Sequence, residues 1–203
     1  IPLFSSPIGR VLQRYLIIIH SPSEASGEDF AFVINRPNRY TSNDFRDSLS
    51  RSPEPIAMLL DYVDNAFSEN ERYRTEPVKT FLRVIQELNS QLGNRSVFDT
   101  VRAVISAFDL ASVNLDGTAA TLDESDDESI LEVIAEEARG FQHFDEFLEY
   151  YSRQIRRDTG EDDEAEETGA REGEASYSRD AETSGDVVSL NTIHATKGKE
   201  WYL

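Results

Sequence analysis

Hydrophobic residues along this chain recur mostly at spacings of three and four, and that period predicts a mainly α protein. Between residues 7 and 20, Ile8, Val11, Leu12, Tyr15, Leu16 and Ile19 make one wide apolar stripe, with Pro7 suited to a first turn. Ser21-Pro22-Ser23 ends that helix. A short apolar helix is predicted over 28–34 and is stopped by Asn35-Arg36-Pro37-Asn38-Arg39-Tyr40. Ser42 is placed to cap a helix running through Leu49. Pro53 and Pro55 open the next, with Ile56, Leu59, Leu60, Val63 and Phe67 on one face. Another runs from about Pro77 to Leu92, carrying Val78, Phe81, Leu82, Ile85, Leu88 and Leu92 in register. Gly93-Asn94, residues tolerant of left-handed backbone, close it.

The second half continues the pattern and then loses it. Ser96 to Asp99 resembles a capping box with Asp in the place of Glu, and Phe98, Val101, Val104, Ile105 and Phe108 follow. Residues 111–128 are small and polar and read as a loop. Ile130, Leu131, Ile134 and Ala138 predict a helix. The stripe resumes after Gly140 with Phe141, Phe144, Phe147, Leu148, Tyr151 and Ile155. Those aromatics could form a stacking platform, but their helical spacing favours burial. Residues 157–186 have no apolar period and consist mostly of Glu, Asp, Gly, Ser and Thr, a composition that predicts a flexible acidic tether. Only the β-branched run at 187–193 reads as a strand. The whole is seven or eight helices, the acidic segment, and one strand, with no internal repeat. One strand cannot form a sheet, so its partners are expected outside these 203 residues, in a larger protein.

Composition narrows the chemistry. There is no cysteine, which excludes disulfides and thiolate metal sites. The three histidines, His20, His143 and His194, are far apart in sequence and offer no obvious ligand set. No apolar run is long enough to span a bilayer, and the N-terminus lacks the basic and apolar regions of a signal peptide, so a cytoplasmic protein is expected. Net charge is −19, the wrong sign for a free-standing nucleic-acid binder. About half of the excess is local: residues 158–186 hold twelve acids and two arginines, or −10 of the total, and the remaining chain is still acidic at −9. Seventeen of the basic residues are arginine and three are lysine, a bias compatible with a salt-adapted host or a GC-rich genome.

The most specific motif is at the C-terminal end: Thr192-Ile193-His194-Ala195-Thr196-Lys197-Gly198-Lys199-Glu200-Trp201, directly after the strand. Alternation places Thr192 and His194 on one face of an extended segment, where a hydroxyl and an imidazole can meet a phosphate or a base. The blander role for His194 is to cap its own loop. Gly198 permits a tight strand-to-helix turn, and Glu200 suits a helix first turn. Gly198-Lys199 is not a phosphate loop, because Ile193 stands where the leading glycine is needed and Glu200 follows the lysine. The acid runs at 123–128 and 161–167 follow no apolar strand and read as solvated charge.

This motif resembles motif V of the UvrD/Rep-type superfamily 1 DNA helicases. Two more stretches resemble the same family, in the family's order. Pro2-Leu3-Phe4, with the helix ending Arg14-Tyr15-Leu16, is similar to the segment that follows motif IV. Phe30-Ala31-Phe32-Val33-Ile34-Asn35-Arg36-Pro37-Asn38-Arg39 is similar to the family's Ala-Phe…Asn-x-Pro-x-Arg stretch. The resemblance implies that 1–20 leave RecA-like domain 2A, that 21–156 form the helical 2B subdomain, that 157–186 are an acidic disordered linker, and that 187–203 begin motif V and return to 2A. It implies an ATP-dependent helicase with ATP and magnesium as cofactors, translocating 3′ to 5′ on single-stranded DNA and unwinding duplex in repair, recombination or replication. Thr192 and His194 would touch nucleic acid, and Gly198 and Glu200 the nucleotide. Apart from the resemblance, Arg36, Arg39 and Arg46 are placed either to supply charge contacts to DNA phosphates or to pair with the many surface acids.

The chain departs from the family at several points. It lacks the acid near the start of the first helix, has Tyr40-Thr41-Ser42 where Gly-Ile-Gly is frequent, and has Lys199 in place of a leucine. Within these residues no phosphate loop or magnesium-binding acid cluster occurs, so this chain alone is not expected to hydrolyse ATP. The acidic segment would serve as a hinge tether, a DNA mimic or a docking site for a protein partner. Two alternatives remain open: a stand-alone acidic helical interaction module without DNA or ATP chemistry, and the same motor fused to a nuclease.

Overall fold

The first long helix, α1 (Pro7–His20), is enclosed on nearly every side. Ile8, Val11, Leu12, Tyr15, Leu16, Ile18 and Ile19 all have 0% exposure, so its apolar surface extends beyond the stripe that the spacing predicts. A helix apolar nearly all round must be covered nearly all round. The cover is supplied by α2 (Gly27–Val33), α5 (Glu69–Gln91), α6 (Val97–Ala107), α7 (Glu124–Glu137) and α8 (Phe144–Thr159). Two further helices, α3 (Asn43–Ser50) and α4 (Pro55–Asp64), link α2 to α5 along the outside. The computed structural model describes residues 2–65, 69–112 and 124–160, and the side chains of all these except 69–71 and 124–126. All of the described residues belong to one compact unit. Its architecture is mainly α, with no strand among the described residues. The predicted strand at 187–193 and most of the predicted acidic tether lie outside them. No described helix is long and apolar enough to cross a membrane.

Local chemistry sets the helix starts. Ser6, Ser26, Ser42 and Ser96 each accept a bond from a backbone N–H of the following first turn. At Ser26 the box is reciprocal: the Ser26 hydroxyl accepts from the Asp29 N–H at 3.2 Å, and the Asp29 carboxylate accepts from the Ser26 N–H at 3.0 Å. Arg14 of α1 makes an ion pair with the same carboxylate, which joins the cap to the central helix. At Ser96 the hydroxyl also donates to the Asp99 carboxylate, at 2.7 Å.

Four boundaries differ from the sequence expectation, each for a physical reason. Helix α5 starts at Glu69, well before Pro77, so the proline lies in its interior. Pro77 removes the N–H that would bond the Tyr73 carbonyl, but residues 69–76 are rich in good helix formers and continue the coil through it. That turn carries no apolar period and was invisible to the stripe. Gly93 does not turn left-handed; α5 instead tightens into a 3₁₀ turn, Leu92–Asn94. Helix α7 starts at Glu124, inside the predicted 111–128 loop, where acids favour the positive end of the helix dipole. Helix α8 runs on to Thr159, beyond the predicted end of the helical region. Arg156 and Arg157 sit at its negative end, and Gly160 (φ 78°) caps it in the left-handed region.

The two ends of this unit meet. The Ser5 N–H donates to the Asp158 carboxylate at 3.2 Å, and the Tyr151 hydroxyl donates to the Gly9 carbonyl at 2.7 Å. Phe4 is buried edge-on to Tyr151, with centroids 4.8 Å apart. Phe147 and Tyr151 are fully buried, so the aromatics of α8 serve the core.

Two glycines are required by close approach. A Cβ at Gly9 would stand 2.6 Å from the Leu3 carbonyl oxygen, and one at Gly27 would stand 2.2 Å from that of Leu49. Both obstacles are backbone and cannot swing away. Gly27→Ala and Gly9→Ala are each expected to destabilise by about 2 kcal/mol or more in urea unfolding. Gly93→Ala meets nothing within 4 Å and is expected to stay within about 0.5 kcal/mol of the parent. A small loss at Gly27 would contradict this packing of α2 against the end of α3.

Candidate nucleic-acid interface

The segment 35–42, between α2 and α3, carries the arginines singled out by sequence. Asn35 holds it closed. Its amide donates to the Thr41 carbonyl at 2.9 Å, and its Oδ1 accepts from the Arg39 N–H (3.3 Å), the Thr41 N–H (3.2 Å) and the Thr41 hydroxyl (3.0 Å). The Arg36–Pro37 peptide is cis.

Arg39 is not a surface cation. It is 5% exposed, and its guanidinium donates to the carbonyls of Val33, Ile34 and Pro37 at 3.0–3.1 Å and to the Tyr15 hydroxyl at 3.0 Å. The cation also lies 4.4 Å from the Phe81 ring centre and 5.6 Å from that of Phe108. Tyr15 stacks on Phe108 at 4.2 Å and completes the enclosure. The expectation that Arg39 offers its charge to a DNA phosphate is corrected accordingly: these donors secure the loop to α1, α5 and α6. The anticipated pairing with a surface acid does not occur either; no carboxylate pairs with Arg39 among the described residues.

Arg36 is half-buried. Its guanidinium donates to the Phe32 carbonyl at 2.5 Å and lies 4.4 Å from the Phe32 ring centre. Its pKa is lowered, first by burial and then by the like charge of Arg46. Neither Arg36 nor Arg46 has an ion pair among the described residues.

Beside the loop lies a cleft of about 900 Å³. Phe81, Val84, Pro77 and Phe108 supply apolar surface. Tyr40 and Tyr73 also line it, and these residues are 73% and 84% exposed. Tyr40 has φ 60°, a conformation that a bulky side chain rarely adopts, and its N–H donates to the Asn38 side chain at 2.8 Å. Sequence reasoning missed both tyrosines as site residues. Tyr40 sat among loop residues that end a helix, and Tyr73 lies in the turn of α5 that has no apolar period. Only the presence of a large ring at an unstriped position marked either.

Thr192, His194, Gly198 and Glu200 lie outside the described residues, so their geometry is not described. Among the described residues no group of three or more His, Asp or Glu is placed to hold a metal. Comparison of the chain with protein-family models, with curated proteins and with solved structures finds no match.

Burial pushes the Tyr15 hydroxyl up to about 12, with the Arg39 charge opposing, and burial also raises Tyr151 well above the ordinary range. The folded state thus holds the Tyr15 proton more tightly than the unfolded chain does. Its stabilising effect is complete below about pH 10 and is lost as pH rises from 10 towards 12. Tyr15→Phe should flatten the fall in stability across that window, as read by urea unfolding at stepped pH; an unchanged slope would contradict the assignment. Arg39→Ala removes the guanidinium's bonds to the Ile34 and Pro37 carbonyls, while the Tyr15 hydroxyl and the Val33 carbonyl keep other partners, and it is expected to cost about 2 kcal/mol or more. Arg36→Ala, at a half-buried site, is expected to cost less than about 1 kcal/mol.

Proposed function

We propose that this chain is part of an ATP-dependent superfamily 1 DNA helicase of the UvrD/Rep type, supplying the helical 2B subdomain and the beginning of motif V. The observation that carries this reading is the order of three sequence stretches: Phe4 with the α1 helix, the Phe30 to Arg39 stretch, and Thr192 to Trp201. A helical unit between the first and last of these is what the family's arrangement requires. Support also comes from the meeting of Ser5 with Asp158, since a module inserted into another domain leaves and returns at neighbouring points.

In this reading the intact protein binds ATP and magnesium with residues beyond this chain. Glu200 reaches the nucleotide sugar, Gly198 makes the turn before it, and Thr192 and His194 touch single-stranded DNA. Arg36 and Arg46 provide cationic contacts to the phosphate backbone. Main-chain contacts through Gly-Ile-Gly are replaced here, because Tyr40-Thr41-Ser42 cannot approach phosphate as closely.

A second reading is favoured by the −19 net charge and the enclosure of Arg39: an acidic helical module that binds protein. The two readings separate in the intact protein. The helicase reading expects ATP hydrolysis stimulated by single-stranded DNA. Thr192→Ala with His194→Ala should lower that stimulation by about tenfold or more, and Glu200→Ala should raise the KM for ATP. Hydrolysis indifferent to DNA, or absent, overturns the helicase reading. Arg36→Ala and Arg46→Ala should each reduce the salt dependence of DNA binding by about one phosphate contact. The 203-residue chain by itself should bind DNA weakly or not at all at physiological salt, given its −19 charge.

A further inference from the structure

Both exposed tyrosines of the described unit and both of its non-glycine residues in left-handed backbone, Tyr40 (φ 60°) and Asp109 (φ 47°), line the same cleft. The convergence is hard to explain by folding alone. A tyrosine at φ 60° is strained by about 1 kcal/mol or more, and the ring that would repay the strain through packing is instead in solvent. The cleft also carries charged side chains of both signs. Arg39, in its wall, is a buried cation met by neutral carbonyls, a hydroxyl and aromatic faces but by no carboxylate. Arg74, also on the cleft, is exposed and has no ion pair among the described residues. The cleft also carries two acids: Glu76, 4.0 Å from Lys79, and Asp109, whose carboxylate accepts from the Ser112 hydroxyl at 3.1 Å.

From these features we infer that the cleft receives unpaired bases of single-stranded nucleic acid, stacked on Tyr40 and Tyr73, with the adjoining phosphate at Arg74. The inference rests on the nucleic-acid reading proposed above and adds a site to it. Aromatic faces stack with any base, and the exposed Arg74 supplies a charge that a phosphodiester complements. A polypeptide would rest on the apolar floor, whereas bases also use the two exposed tyrosine faces.

The test uses the 203-residue chain at low ionic strength and fluorescence anisotropy with two labelled probes: an oligodeoxythymidine and an abasic strand of equal length. Tyr40→Gly relieves the left-handed strain, and Tyr73→Ala changes an exposed helical position, so neither threatens the fold. The parent should prefer the oligodeoxythymidine by about tenfold or more, and the double variant should bind both strands alike. Arg74→Ala should weaken both probes together. A parent that does not distinguish the probes, or a double variant that still does, overturns the inference. So does an acidic peptide that occupies the cleft while the oligodeoxythymidine is excluded; that result would assign the site to a protein partner. Failure here is separable from failure of the helicase reading. An intact protein with no DNA-stimulated ATP hydrolysis but with base preference at the cleft loses the motor and keeps the site. The reverse pattern loses only the site.

Discussion

The enclosure of α1 is the constraint on which the rest of this unit depends. Seven side chains of that helix are without solvent exposure, and five other helices are needed to keep them so. The buried guanidinium of Arg39 then ties the 35–42 loop to the same helix through Tyr15, and to α5 and α6 through Phe81 and Phe108. A cation at such a site is tolerated because three carbonyls, a hydroxyl and aromatic faces replace its hydration. The arrangement has a consequence for the surface. A loop secured from beneath can hold Tyr40 in a backbone conformation that would relax in a freer segment.

The helical stripes were legible because apolar spacing and burial are the same physics. Ile8 through Ile19, Phe81 through Leu88 and Phe147 with Tyr151 all appear in the core where their spacing puts them. Serine caps were legible too, since a hydroxyl at a helix start has one dominant use. Helix segments without an apolar face were not: residues 69–76, the start of α7 and the last turn of α8 are held by propensity and dipole effects that leave no period. The cleft was hidden for a different reason. Its walls come from 37–40, 73–84 and 107–109, which only tertiary packing brings together, and φ at Tyr40 is not written in its side chain. Arg39 was misread because an arginine in a polar loop looks the same whether its guanidinium turns out to solvent or in under the loop.

Residues 158–186 carry −10 of the −19 net charge and the remaining residues −9, so Arg36, Arg46 and Arg74 are local cations in a chain that is acidic throughout. If the proposed helicase reading holds, a subdomain beside the motor has no need to bind DNA tightly by itself. It needs a few contacts that count when the motor holds the strand nearby, and local cations with exposed rings suit that role better than a general positive field.

The most direct measurement of the central claim is the sequence of the reading frame on either side of these residues. A superfamily 1 motor predicts Gly-x-x-x-x-Gly-Lys followed by Ser or Thr upstream of Ile1, after a strand and opening a helix, and a motif with glutamine and arginines downstream of Leu203. A frame that closes shortly after Leu203, with nothing upstream able to cradle a triphosphate, would contradict it.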